Sequence, residues 1–133
     1  MSGRLRKPLS LAGLDLADLG EAQLTDFAEH YLLNGMHGVS FSGYEDGQTP
    51  EDDLVSPQVH RRLSILAPYV SWVRSFSRLK GHDQIARLAK ARGLKTMVGA
   101  WISDDLEQNE LEIASLIDLA KSGLVDIAAV GNE

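Results

Sequence analysis

"LKTMVGAWISDDLEQNELEIASLIDLAKSGLVDIAAVGNE", residues 94 to 133, holds the pattern that decides the fold. Residues 94–102 are a short apolar run with β-branched and aromatic members, the signature of a strand. Ser103 and Asp104 offer caps for a helix whose apolar positions are Leu111, Ile113, Leu116, Ile117 and Ala120, and Gly123 supplies a stop. A second apolar run, 125–130, follows directly. Two strands joined by a helix lie parallel, because a hairpin cannot accommodate the crossover.

The same alternation extends backwards along the chain. Leu24, Phe27, Ala28, Tyr31 and Leu32 follow helical spacing up to Asn34-Gly35, and a strand is predicted over 37–44. A polar loop covers 45–53. Ser56 reads as an N-cap with Pro57 in the first helical position, and Val59, Leu63, Leu66 and Val70 continue at helical spacing. A strand at 69–77, a short helix through Ile85, Leu88 and Ala89 bounded by Gly81 and Gly93, and the 94–133 segment complete the series. The order is helix, then β-α-β-α-β-α-β: an α/β protein with a parallel sheet.

Two architectures fit, a doubly wound open sheet or the first four strands of a (β/α)₈ TIM barrel. Sequential strand order is required only by the barrel. An open-sheet nucleotide binder would want a glycine-rich turn after its first strand, and neither G-x-G-x-x-G nor G-x-x-x-x-G-K-[ST] occurs.

Composition narrows the function. The 133 residues carry a formal net charge of -6, which argues against a nucleic-acid partner. The basic cluster Arg4, Arg6 and Lys7 reads as a solvated tail. Without cysteine there is no thiolate metal site, and His37, His60 and His82 lack ligand spacing, so neither metal nor cofactor is expected. Asp15 and Asp18 interrupt the early apolar run, so no signal peptide is read, and no stretch approaches the roughly 18 apolar residues of a membrane span. A cytoplasmic protein is the default expectation.

In either architecture ligands meet the C-terminal ends of the strands. The residues there are Tyr44, Arg74, Phe76, Trp101 and Asn132-Glu133, with Trp72, Arg74 and Phe76 on one face of their strand and Met97, Gly99 and Trp101 on one face of theirs. Acetal cleavage uses a carboxylic acid to protonate the leaving oxygen and a second carboxylate to attack or to activate water. Aromatic rings offer flat faces to a sugar, and an amide bonds a hydroxyl. Phe41 and Phe76 also read simply as barrel filling, and Arg74 needs a carboxylate partner.

"HGVSFSGYEDGQTP" (37–50), "LSILAPYVSWVRSFS" (63–77), "GLKTMVGAWISDDLEQNELEI" (93–113) and "VDIAAVGNE" (125–133) together resemble the first half of the catalytic barrel of glycoside hydrolase family 17. The resemblance is to its bacterial β-1,3-glucanase and β-glucan synthase or transglycosylase group. It implies a retaining β-glucan hydrolase or transglycosylase with Glu133 as general acid/base and Asn132 on the sugar's 2-hydroxyl. It further implies that Arg74 orients the carboxylates and that Tyr44, Trp101 and Phe76 lie near the sugar site; Phe41 is a further substrate-binding candidate. Phe76 stands where the family usually has tyrosine. The family's nucleophile sits on the seventh strand, beyond residue 133, so the expectation is a fragment, inactive alone: a helical extension over 1–36 and a half-barrel over 37–133. Four strands with open edges also invite self-association, which leaves a non-catalytic carbohydrate-binding or self-associating half-barrel as the alternative.

Overall fold

The computed structural model describes residues 15–131. The basic cluster near the N-terminus therefore lies outside the described residues. The elements run α1 (Glu21–Asn34), β1 (Met36–Ser40), α2 (Ser56–Leu66), a 3₁₀ turn (Ala67–Tyr69), β2 (Val70–Ser75), α3 (Asp83–Lys90), β3 (Lys95–Ala100), α4 (Leu106–Lys121) and β4 (Ile127–Val130). The strands form one parallel sheet in the order β1-β2-β3-β4. Sequential order is the barrel's signature and removes the doubly wound alternative. The described chain is a partial (β/α)₈ barrel.

Strand alternation sorts the sheet into two faces. Val73 of β2 and Val98 and Ala100 of β3 point toward the helices, where they are buried with Val59 and Leu63 of α2, Ile85 and Ala89 of α3, and Leu116 and Leu119 of α4. Among the described residues, no helix covers the opposite face. It presents Ser40, Arg74, Met97 and Ile127 as one row across all four strands, because Ser40 pairs with Arg74, Arg74 with Met97 and Met97 with Ile127.

Element ends differ from the expected ones for local reasons. β1 stops at Ser40, although the Phe41 N–H still bonds the Arg74 carbonyl at 2.8 Å, and Gly43 then turns in against Leu54. Val55, not Ser56, caps α2, and its side chain makes no capping bond. The cap of α4 is Asp105 rather than Ser103 or Asp104: its carboxylate accepts the Gln108 N–H at 3.0 Å. Ser103 serves differently, pinned by Asn109, whose amide accepts the Ser103 N–H and donates to the Ser103 carbonyl, both at 2.8 Å. Helix α1 buries none of its residues. It ends at Gly35, whose φ of 82° lets its N–H reach the carbonyls of Tyr31 and Leu32 before the chain enters β1.

The buried stripe of α4 corrects the sequence reading. Asn109, Glu112, Leu116 and Leu119 face the sheet, while Leu111 and Ile117 are 59% and 46% exposed. Beyond α4, β4 is held at its start by Asp126, whose carboxylate accepts from Lys90 at 2.5 Å and from the Thr96 N–H at 2.8 Å. The Lys90 ammonium first, and then the Thr96 amide, hold the Asp126 carboxyl below its usual range. A depressed folded-state pKa stabilises the fold above the unfolded value and ceases to do so as pH falls through the folded one. The stability difference between the wild type and Asp126→Asn, measured by urea melts, is therefore expected to be full at pH 7 and to shrink below about pH 4. A difference independent of pH would contradict this.

Candidate functional site

The C-terminal ends of β1, β2 and β3 bring Tyr44, Phe76 and Trp101 to the same end of the sheet. Phe76 is 36% and Trp101 44% exposed, so neither ring belongs to the helix-side core. Tyr44 is half-buried and packs edge-on against His82 with ring centroids 5.4 Å apart. Burial pushes the Tyr44 hydroxyl pKa up, with Lys80 opposing, so the phenol stays protonated and can donate. Burial likewise lowers the His82 pKa, and its Nδ1 donates to the Leu79 carbonyl at 2.9 Å.

Arg74 lies on the open face. Its guanidinium carbon sits 4.7 Å from the centre of the Phe76 ring, and its Nε is buried with no hydrogen-bond partner among the described residues. The expected carboxylate partner is not found there, because this face carries no acidic side chain in the rows Gly38–Trp72–Lys95 and Ser40–Arg74–Met97–Ile127. A groove of about 330 Å³ runs along the face between His37, Ser40, Trp72, Arg74, Met97 and Ile127. Trp72 stacks on His37 at 6.0 Å, and the Lys95 ammonium lies 5.3 Å from its ring.

Phe41 is elsewhere. It is 6% exposed and packs in the helix-side cluster with Val59, Leu63 and Val73, on the other side of the sheet from Arg74. One residue of register decides this, since Ser40 and Phe41 point to opposite faces. Asn132 and Glu133 lie outside the described residues; the last one described, Gly131, donates to the Ala100 carbonyl at 3.1 Å and so carries the chain past the end of β3.

A polar cluster that the sequence reading did not find underlies the strand ends. Arg78 and Glu112 are each 2% exposed. The Glu112 carboxylate accepts from the Ser77 hydroxyl, from the Arg78 N–H at 2.7 Å and from the Trp101 N–H at 3.3 Å. The Arg78 guanidinium donates to the Gly99 carbonyl at 3.1 Å, to the Ser75 hydroxyl at 3.0 Å, and to the carbonyls of Ser77 and His82. Burial lowers its pKa to about 10, partly offset by Glu112, so it remains charged at neutral pH. One signal was available: Glu112 shares the helical stripe of Leu116 and Leu119, which places a carboxylate on a buried face.

Gly99 permits this closeness. A Cβ there would come within 2.6 Å of the Ser75 carbonyl oxygen and 2.8 Å of that of Phe76, both backbone atoms that yield little. Gly99→Ala is expected to cost about 1–3 kcal/mol, the usual penalty of overpacking. Denaturant midpoints check it, and an unchanged midpoint would refute the tight approach of β3 to the end of β2.

No protein-family model matches the chain, and no solved structure matches it. Among the described residues, no cluster of three or more His, Asp or Glu side chains is placed to hold a metal ion. No described helix is long and apolar enough to cross a membrane.

Proposed function

We propose that these residues form the N-terminal half of the catalytic barrel of a retaining β-glucan hydrolase or transglycosylase of the family-17 type, with Glu133 as the general acid/base. The observation that carries the reading is the sequential parallel sheet, with Tyr44, Phe76 and Trp101 each following the C-terminal end of a strand. β4 runs parallel to the other strands and ends at Val130, and the sequence that follows it is Gly131-Asn132-Glu133, the place after a barrel strand from which ligand-facing residues come. The exposed rings suit the C–H faces of a glucan, the half-buried phenol suits a hydroxyl, and Arg74, lacking an acceptor of its own, suits a carboxylate across the mouth.

Retention needs a second carboxylate about 5–5.5 Å from the first. The described strands place none on the open face. The 133-residue chain is therefore expected to release no reducing sugar from laminarin-type β-1,3-glucan. Clear turnover by this chain, abolished by Glu133→Gln, would sink the requirement for a second half.

A second reading, a self-associating half-barrel that holds glucan without chemistry, is favoured by the unpartnered outer edge of the sheet. Ile127 and Val130 of β4 are 43% and 67% exposed, and Leu106 and Ile117 of α4 are 76% and 46% exposed. Sedimentation analysis separates the two: a discrete dimer that binds glucan supports the second reading, and a monomer excludes it.

A further inference from the structure

We propose that Glu112, remote from the open face and on α4, is a positioning residue that sets the distance between the aromatic platforms of β2 and β3. The inference rests on the sugar-binding reading of Phe76 and Trp101. Three donors converge on one carboxylate: the Ser77 hydroxyl and the Arg78 N–H from the segment just past β2, and the Trp101 N–H just past β3. Two of these donors are the immediate neighbours of Phe76 in sequence or one residue beyond it, and the third belongs to Trp101 itself. The same helix end is fixed independently, since Asn109 bonds Ser103 through both its amide groups.

Arg78 closes the arrangement from the other side. Its guanidinium joins the Gly99 carbonyl of β3 to the Ser75 hydroxyl of β2. With Gly99 removing any side chain from the gap, the two strand ends are held by charge-assisted bonds rather than by apolar packing. Phe76 and Trp101 are each at least 36% exposed, with the Arg74 guanidinium against the Phe76 ring. Their backbone anchors therefore define the spacing that a glucan chain meets. A ligand that stacks on two rings gains from having them preset, and loses that gain when the anchor loosens.

Glu112→Gln keeps the size of the side chain but removes one charge and turns an acceptor oxygen into a donor, so it cannot satisfy all three partners. The test uses the full chain labelled with 5-fluorotryptophan, whose two tryptophans, Trp72 and Trp101, give separate ¹⁹F signals. In Glu112→Gln the Trp101 signal is expected to shift or broaden while that of Trp72 stays, and the affinity for a laminari-oligosaccharide is expected to fall about tenfold. Leu119→Ala, a cavity in the same helix, controls for mere loss of stability: it is expected to leave both the Trp101 signal and the affinity at wild-type values. Ser77→Ala, which removes a single donor, gives a milder version should Glu112→Gln not fold. An unmoved Trp101 signal with wild-type affinity, or equal changes in Leu119→Ala, would overturn the proposal. If the wild type binds no oligosaccharide, the sugar-binding reading fails, and with it this role in sugar recognition; the free-protein Trp101 signal separately reports whether Glu112 fixes that strand end.

Discussion

Glu133→Gln is expected to lower β-glucan cleavage by about 10² to 10⁴ in a polypeptide that also carries the remaining strands of the barrel. Glutamine preserves the shape and the hydrogen-bonding reach of the side chain but cannot give a proton to the departing glycosidic oxygen. The loss should depend on the leaving group. An aryl glucoside with an acidic phenol needs little protonation, so its glycosylation step should be nearly spared, whereas natural glucan should show the full loss. A Glu133→Gln enzyme with an unaltered rate on glucan would remove Glu133 from the acid/base role.

The second large effect concerns the fold. Glu112→Leu is expected to destabilise the protein by about 2–5 kcal/mol, since each buried donor left without an acceptor costs about 1–3 kcal/mol. It leaves the Ser77 hydroxyl and the N–H groups of Arg78 and Trp101 without their acceptor, and it removes the nearby negative charge that partly offsets burial of the Arg78 guanidinium. For a domain whose total stability is typically 5–15 kcal/mol, that is a large part of the whole. The double variant Arg78→Met/Glu112→Leu should cost less than the sum of the two single variants, because each charge partly balances the other. Urea midpoints of the wild type and the three variants close the cycle. A Glu112→Leu cost below about 1 kcal/mol would contradict the view that this carboxylate clamps the strand ends.

The fold was largely readable because its strands are short apolar runs and two of its three crossover helices stop at a glycine, Gly93 and Gly123. The positions of Tyr44, Phe76 and Trp101 followed from that reading, since strand ends locate themselves once strands are found. The charged residues were harder. The sequence reading assigned the buried arginine to strand two at Arg74, yet Arg74 points to the helix-free face and stacks on Phe76, while Arg78, four residues later, is the one enclosed. The cause is the turn after β2, which folds back beneath the strand ends and which no periodicity describes. Helix α4 misled for a related reason: its exposed Leu106, Leu111 and Ile117 and its buried Asn109 and Glu112 invert the usual apolar pattern. Phe41 was placed on the ligand side, and a one-residue difference in register put it in the core.

The proposed function requires that the C-terminal ends of these strands face a glucan. Amide chemical-shift mapping with a laminari-oligosaccharide tests it most directly. Saturable shifts confined to the neighbourhoods of Tyr44, Phe76 and Trp101, and lost in Trp101→Ala, are expected. The cleft of about 240 Å³ at the opposite end, lined by Asn34, Met36, Pro68 and Tyr69, should be silent. Shifts at that cleft instead, or none at millimolar oligosaccharide, would contradict it.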